Sequence, residues 1–191
     1  MQKRDIGFTL VELLVSFAVI AVLATIVFVN FRSGNDILAL ERSAQKVVQD
    51  VRRTAGFALQ GDQLVTCGSG TLSAYGIYIQ EGGGSYIIFA NCNGTDKEGY
   101  DSGQDTLIET VTLEDPVTIL SVDAVPSAGI FNGNAWSVSF FPPDPQAVLC
   151  GNDSCNGNNL LKTAEVTIAL KNDASKTKTI DVNEAGFPDL Q

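Results

Sequence analysis

One carboxylate stands inside the apolar run "FTLVELLVSFAVIAVLATIVFV", residues Phe8 to Val29: Glu12. A charge at the centre of a lipid-embedded helix costs roughly 2.5–3.5 kcal/mol on insertion scales, and less near the helix start. Such a group calls for a cationic partner. Proteolysis after Gly7 supplies one, because it leaves Phe8 as a new terminus whose α-amine lies four residues before Glu12. Between packed helices of neighbouring chains, that amine and Glu12 can form an ion pair that sets their axial register.

Three other sets of residues bear chemistry. The four cysteines, Cys67, Cys92, Cys150 and Cys155, contain no C-x-x-C pair, and the chain has no histidine. A histidine-based triad or zinc site is thereby excluded, and the cysteines read as two disulfides. Of the three possible connectivities, the short spacing favours Cys150 with Cys155, leaving Cys67 with Cys92; the competing reading is free buried thiols. Disulfides place the domain outside the cytoplasm. The loop "NCNGTDKEGYDSGQD" offers Asp96, Glu98, Asp101 and Asp105 as oxygen ligands for calcium, but not at EF-hand spacing. A solvated acidic loop is the simpler reading, and no cofactor is expected. "EGGGS" lies between two strand patterns rather than before a helix, which argues against a phosphate cradle. No nucleophile has a matching base, so an enzyme is not expected.

These groups require particular elements to hold them. The run Phe8 to Val29 is broken only by Thr9, Glu12, Ser16 and Thr25, and as a helix it extends about 33 Å, enough to cross a hydrocarbon core. The preceding residues 1–7 carry Lys3 and Arg4, which keeps this leader cytoplasmic and exports the remainder. The run is too long for a secretory signal, and no A-x-A site follows it. Beyond it, Ile37, Leu40, Ala44, Val47, Val51, Ala55 and Ala58 recur at helical spacing, with Glu41, Arg42, Gln45, Gln49, Asp50 and Arg53 opposite. Gly34 predicts a bend, and Gly61 with Asp62 predicts the helix end.

After residue 62 the period becomes two. Predicted strands are "QLVT", "AYGIYIQ", "SYIIFANC", "DTLIETVTL", "VTILSVDAV", "AWSVSFF", "AEVTIALK" and "KTKTIDVN", with hairpin turns at 81–84 and 172–175. The core candidates are Ile77, Ile79, Ile87, Phe89, Leu107, Val138, Phe140, Val166 and Ile168. The expected fold class is α+β: a long helix followed by an antiparallel sheet. The divisions are a leader (1–7), an assembly helix (8–29), its amphipathic continuation (30–61) and a β-rich head (62–191).

The wording "GFTLVE" resembles the N-terminus of the type IV pilin superfamily, which includes the pseudopilins of type II secretion. The resemblance implies cleavage after Gly7, N-methylation of Phe8 and an assembly role for Glu12. Its implied partners are other pilin or pseudopilin subunits, the prepilin peptidase/methyltransferase and the membrane. The stretches "LERSAQKVVQDVRRTAGFALQ", "IIFANCNGTDKEGYDSGQDTLIETVTL" and "TIDVNEAGFPDL" resemble the head of GspH/FimT-type minor pilins and pseudopilins. The insert "PPDPQAVLCGNDSCNGNNLLK" and the cysteines depart from that pattern.

The first functional reading is therefore a structural minor subunit of a pilus or pseudopilus, a single-pass membrane protein with its head at the cell surface or in a periplasmic filament. The alternative is a pilus-tip binding module for adhesion or DNA capture. A net charge of −10 opposes nucleic acid as a partner, since Arg52-Arg53, Lys171, Lys176 and Lys178 form no cluster and read as solvated.

Overall fold

The structure, a computed structural model, describes residues 9–60, 65–68, 70–92, 99–143, 146–152, 155 and 160–191; of 27–33 only the backbone is described. The helix α1 runs Leu10–Gln60. Among the described residues nine strands follow: β1 (Ala74–Gln80), β2 (Ser85–Asn91), β3 (Thr106–Thr112), β4 (Val117–Pro126), β5 (Ala135–Phe141), β6 (Gln146–Gly151), β7 (Leu160–Leu170), β8 (Asp173–Val182) and β9 (Pro188–Leu190). The fold class is α+β and pilin-like. The chain divides into two compact units, Met1–Asp36 and Ile37–Gln191.

In the second unit all nine strands join one antiparallel sheet, ordered β3-β2-β1-β5-β6-β7-β8-β9. β4 pairs with β7, from Val117↔Leu170 to Pro126↔Leu161. The first residues of β7 also pair with β6, through Leu149↔Leu161 and Cys150↔Leu160.

Alternation along each strand builds one core against the helix. Leu40, Ala44, Val47, Val51 and Ala58 of α1 are buried in a cluster with Ile77, Ile79, Ile88, Val138, Phe140, Val166, Ile168 and Ile180. Fully burying each large aliphatic side chain contributes about 1.5–3 kcal/mol. The largest core side chain, Trp136, donates its indole N–H to the Glu165 carbonyl at 3.0 Å, so its polar atom is satisfied.

The opposite sheet face is partly covered by an aromatic group. Tyr100 lies 5.1 Å from the Phe89 ring and 5.3 Å from Tyr78, centroid to centroid. Gly76 makes room for it: a Cβ there would lie 2.5 Å from Phe89 Cζ. Ile88 and Phe89, consecutive on β2, alternate to opposite faces and both stay buried, while the pairing with β3 shifts there and leaves Ile108 as the extra residue.

Several expectations need correction. Leu107 is 51% exposed, because it sits on the end strand β3 and points away from the helix-side core. Ile87 is half-buried, sharing its face with Phe89 and Tyr78 rather than the main core. Ile37 is 47% exposed, so the buried helix face begins at Ala39. Asp50 is buried rather than solvated. The insert "PPDPQAVLCGNDSCNGNNLLK", in which no strand was predicted, contains β6, whose backbone pairs with β5 from Trp136↔Gly151 to Phe141↔Gln146. The second hairpin turns at Lys171 and Asn172, so β8 starts at Asp173. Val65 and Thr66 are irregular, not strand; Gln63, Leu64, Gly61 and Asp62 lie outside the described residues.

Candidate assembly site

The described part of the first unit is the N-terminal segment of α1, and its apolar side chains have nothing to pack against within it. Leu10, Val11, Leu14, Phe17, Ile20, Leu23 and Ile26 are each more than half exposed. A soluble domain rarely leaves so large a contiguous apolar surface open. Among the described residues, no helix is long and apolar enough to cross a membrane. The described side chains of the run stop at Ile26, short of its sequence end at Val29.

The hydroxyls of Ser16 and Thr25 are satisfied within the helix. Ser16 donates its hydroxyl to the Glu12 carbonyl at 2.7 Å, and Thr25 to the Ala21 carbonyl at 2.7 Å. Such back-bonding to the preceding turn hides hydroxyls that would otherwise be costly in an apolar medium.

Glu12 is held by Thr9. The Thr9 N–H donates to Glu12 Oε2 at 3.1 Å and the Thr9 hydroxyl to the same oxygen at 2.9 Å. In return the Glu12 N–H donates to Thr9 Oγ1 at 3.3 Å. With the helix starting at Leu10, Thr9 is the N-cap and Glu12 the third helical residue, a reciprocal capping box. The negative charge also lies at the positive end of the helix dipole. Among the described residues Glu12 has no cationic partner and Oε1 accepts no hydrogen bond. The T-x-x-E spacing was visible in the sequence, but attention to the charge alone passed over it. Gly7 and Phe8 lie outside the described residues.

The remaining candidates do not converge on this segment. Cys67 is bonded to Cys92, and Cys150 to Cys155. Asp101 and Asp105 serve their own loop. Asp105 accepts the Cys92 N–H at 3.1 Å and the Asp101 N–H at 2.8 Å, and Asp101 accepts the Gly103 N–H at 2.8 Å. Asp96 and Glu98 lie outside the described residues. Among the described residues no three metal-ligating side chains cluster.

On the head, the polar side of α1 is tied to the sheet by charge. Arg42 donates to Glu114 through Nε at 3.0 Å and Nη2 at 2.8 Å. Lys178 lies 2.9 Å from Glu41. The Tyr86 hydroxyl donates to the buried Asp50 carboxylate at 2.6 Å, while Arg53 sits 3.6 Å from Asp50 and 3.0 Å from Glu109. Burial first, and then the bond to Asp50, push the Tyr86 phenol far above its ordinary range, so it stays protonated as a donor.

No curated protein and no solved structure matches the chain. A family model does match at the helix start, covering residues 2–28, and its description is the prokaryotic N-terminal methylation motif. The capped glutamate and the exposed apolar side chains up to Ile26 thus stand within the matched motif, and the chain carries the type IV pilin and pseudopilin signal.

Proposed function

We propose that the chain is a structural minor subunit of a type IV pilus or a type II secretion pseudopilus. It enters the membrane by its N-terminal helix with the leader cytoplasmic and the head exported. A prepilin peptidase/methyltransferase cleaves after Gly7 and methylates Phe8, and the mature chain packs helix to helix with other pilin or pseudopilin subunits. The observation that carries this reading is the match of the methylation motif to the segment where the apolar face of α1 lies open.

The geometry of Glu12 adds a physical account of assembly. The Thr9 cap holds Oε2, so the carboxylate is oriented before any partner arrives, and Oε1 is left for the terminal ammonium of a neighbouring subunit. An ion pair in a water-poor helix bundle is far stronger than one in water, which is why a single pair can fix register. The resemblance of the head's sequence to GspH/FimT-type minor pilins supports the minor class, although the insert after β5 and the two disulfides depart from that pattern.

The test is processing itself. Incubating the full chain in membranes with a prepilin peptidase/methyltransferase should shorten it by seven residues and label the new terminus with a methyl group. An unshortened chain under conditions that process a control prepilin would overturn the proposal. The binding-module alternative has no observation of comparable weight, and calcium remains a proposal for the 93–105 loop alone.

A further inference from the structure

The head has an open hollow between α1 and the segment leading into β9. It measures about 290 Å³ and is lined by Ala55, Gly56, Leu59, Phe140, Ala185, Gly186 and Phe187, with Arg52 at its edge. That volume is at the low end for ligand sites, room for one or two side chains rather than a cofactor. Leu59 and Phe187 are 62% and 68% exposed, so apolar side chains on both walls stand in water.

Two features of the hollow have no explanation within the chain. Gly56 lies inside α1, where glycine costs about 1 kcal/mol relative to alanine. Yet a Cβ built there meets nothing within 4 Å. Gly186 is different: its φ of +76° and the closeness of Phe140 Cε1, 2.5 Å from a built Cβ, both require glycine. A side chain at Gly56 would therefore extend into the open space of the hollow. The second feature is Arg52. Of the arginines whose side chains are described, Arg42 and Arg53 are in ion pairs and Arg52 is not. Among the described residues its one polar contact is a long donation from Nη2 to the Pro188 carbonyl at 3.5 Å.

We infer that this hollow receives an acidic segment of a neighbouring subunit, one that inserts a large apolar side chain over Gly56 and sets a carboxylate against Arg52. Charge decides the occupant. An uncommitted guanidinium beside an apolar socket selects a bidentate anion carried next to an apolar group, and discriminates against a basic one. Burial of Leu59 and Phe187 supplies the apolar part of the affinity. The inference rests on the assembly reading for the source of its occupant, but it concerns the head, and peptide binding to the head is measured independently of leader removal.

The experiment uses the purified full chain in lipid nanodiscs and two fluorescein-labelled peptides, Asp-Phe-Leu-Asp and the same peptide with lysine in place of each aspartate. Fluorescence anisotropy should show saturable binding of the acidic peptide and at least tenfold weaker binding of the basic one. Gly56→Leu fills the hollow while replacing a helix-interior glycine with a better helix former, so the fold is kept; binding should fall at least tenfold. Arg52→Gln should weaken the acidic peptide and erase most of the preference, and Arg52→Lys should restore part of it. Equal binding of the two peptides, no saturable binding of either, or unchanged binding by the Gly56→Leu protein would each overturn the inference.

Discussion

Tyr86→Phe removes one oxygen from the contact between α1 and the sheet. The ring stays, so no large cavity forms. What is lost is the donor to Asp50 Oδ2 at 2.6 Å, in a place where Tyr86 is 2% and Asp50 7% exposed. A hydrogen bond to a charged group contributes about 1.5–3 kcal/mol, and a buried carboxylate left without its donor keeps most of its desolvation cost. Arg53, at 3.6 Å and also bound to Glu109, compensates only in part. The expected loss is therefore about 1.5–3 kcal/mol, equivalent to roughly 3–12 °C in Tm for a chain of this size. Thermal unfolding of the full chain in detergent, followed by near-ultraviolet circular dichroism, measures it. Asp50→Ala on its own should cost at least as much, and the double variant should show strong coupling between the sites. A Tyr86→Phe loss below about 0.5 kcal/mol, or additive single costs, would refute the reasoning, because either outcome means Asp50 draws its stabilisation from elsewhere.

Other outcomes follow from the same structure. Glu12→Val should leave cleavage after Gly7 intact but lower incorporation into filaments, read by immunoblot of sheared filaments against membranes; normal incorporation argues against the ion pair. Gly7→Asp should leave the leader attached, seen as an unshifted band on a gel. Loss of the Cys67–Cys92 bond, which closes 25 residues, should cost about 3.5 kcal/mol, and loss of Cys150–Cys155, closing 5, about 2 kcal/mol. Denaturant titration of the paired Cys→Ser variants decides this, and the reverse order would contradict the loop-length argument. The register sets Asp123, Glu165 and Asp181 side by side on β4, β7 and β8. Desolvation, then the charges of Asp181 and Asp123, raise the Glu165 carboxyl above its usual range. A raised folded-state value favours folding below the unfolded value, and that advantage disappears as pH rises through it. Glu165→Gln should therefore stabilise the head by about 0.2–1 kcal/mol at pH 7 and by less near pH 4; equal effects at both pH values would contradict this.

Much of the architecture was legible because period distinguishes helix from strand. The spacing from Leu40 to Ala58 marked the buried face of α1, and the alternation in "AYGIYIQ" and "AWSVSFF" marked two central strands. β6 was hidden because "QAVLCG" is short and lies among Pro, Gly and Asn, residues that usually mark turns; its strand character comes from pairing with β5. Asp50 was misread for a related reason. On a helical wheel it belongs with the charged face, and its burial is made tolerable by Tyr86, contributed by a strand 36 residues away, together with Arg53. Leu107 looked like core because alternation does not reveal which strand ends a sheet. At the assembly site, Glu12 was conspicuous as a lone charge, and the methylation motif covers it. Its orientation by Thr9 was equally present in the spacing, but it is a local geometry that a search for distant partners overlooks.

The central claim is that this chain is built into a filament after its leader is removed, through a terminal ammonium and Glu12. Mass spectrometry of the N-terminus, on protein recovered from filaments sheared off whole cells, addresses it most directly. The account predicts a chain beginning at N-methylated Phe8 in the filament fraction. Recovery only of chains that begin at Met1 and remain in the membrane fraction would contradict it.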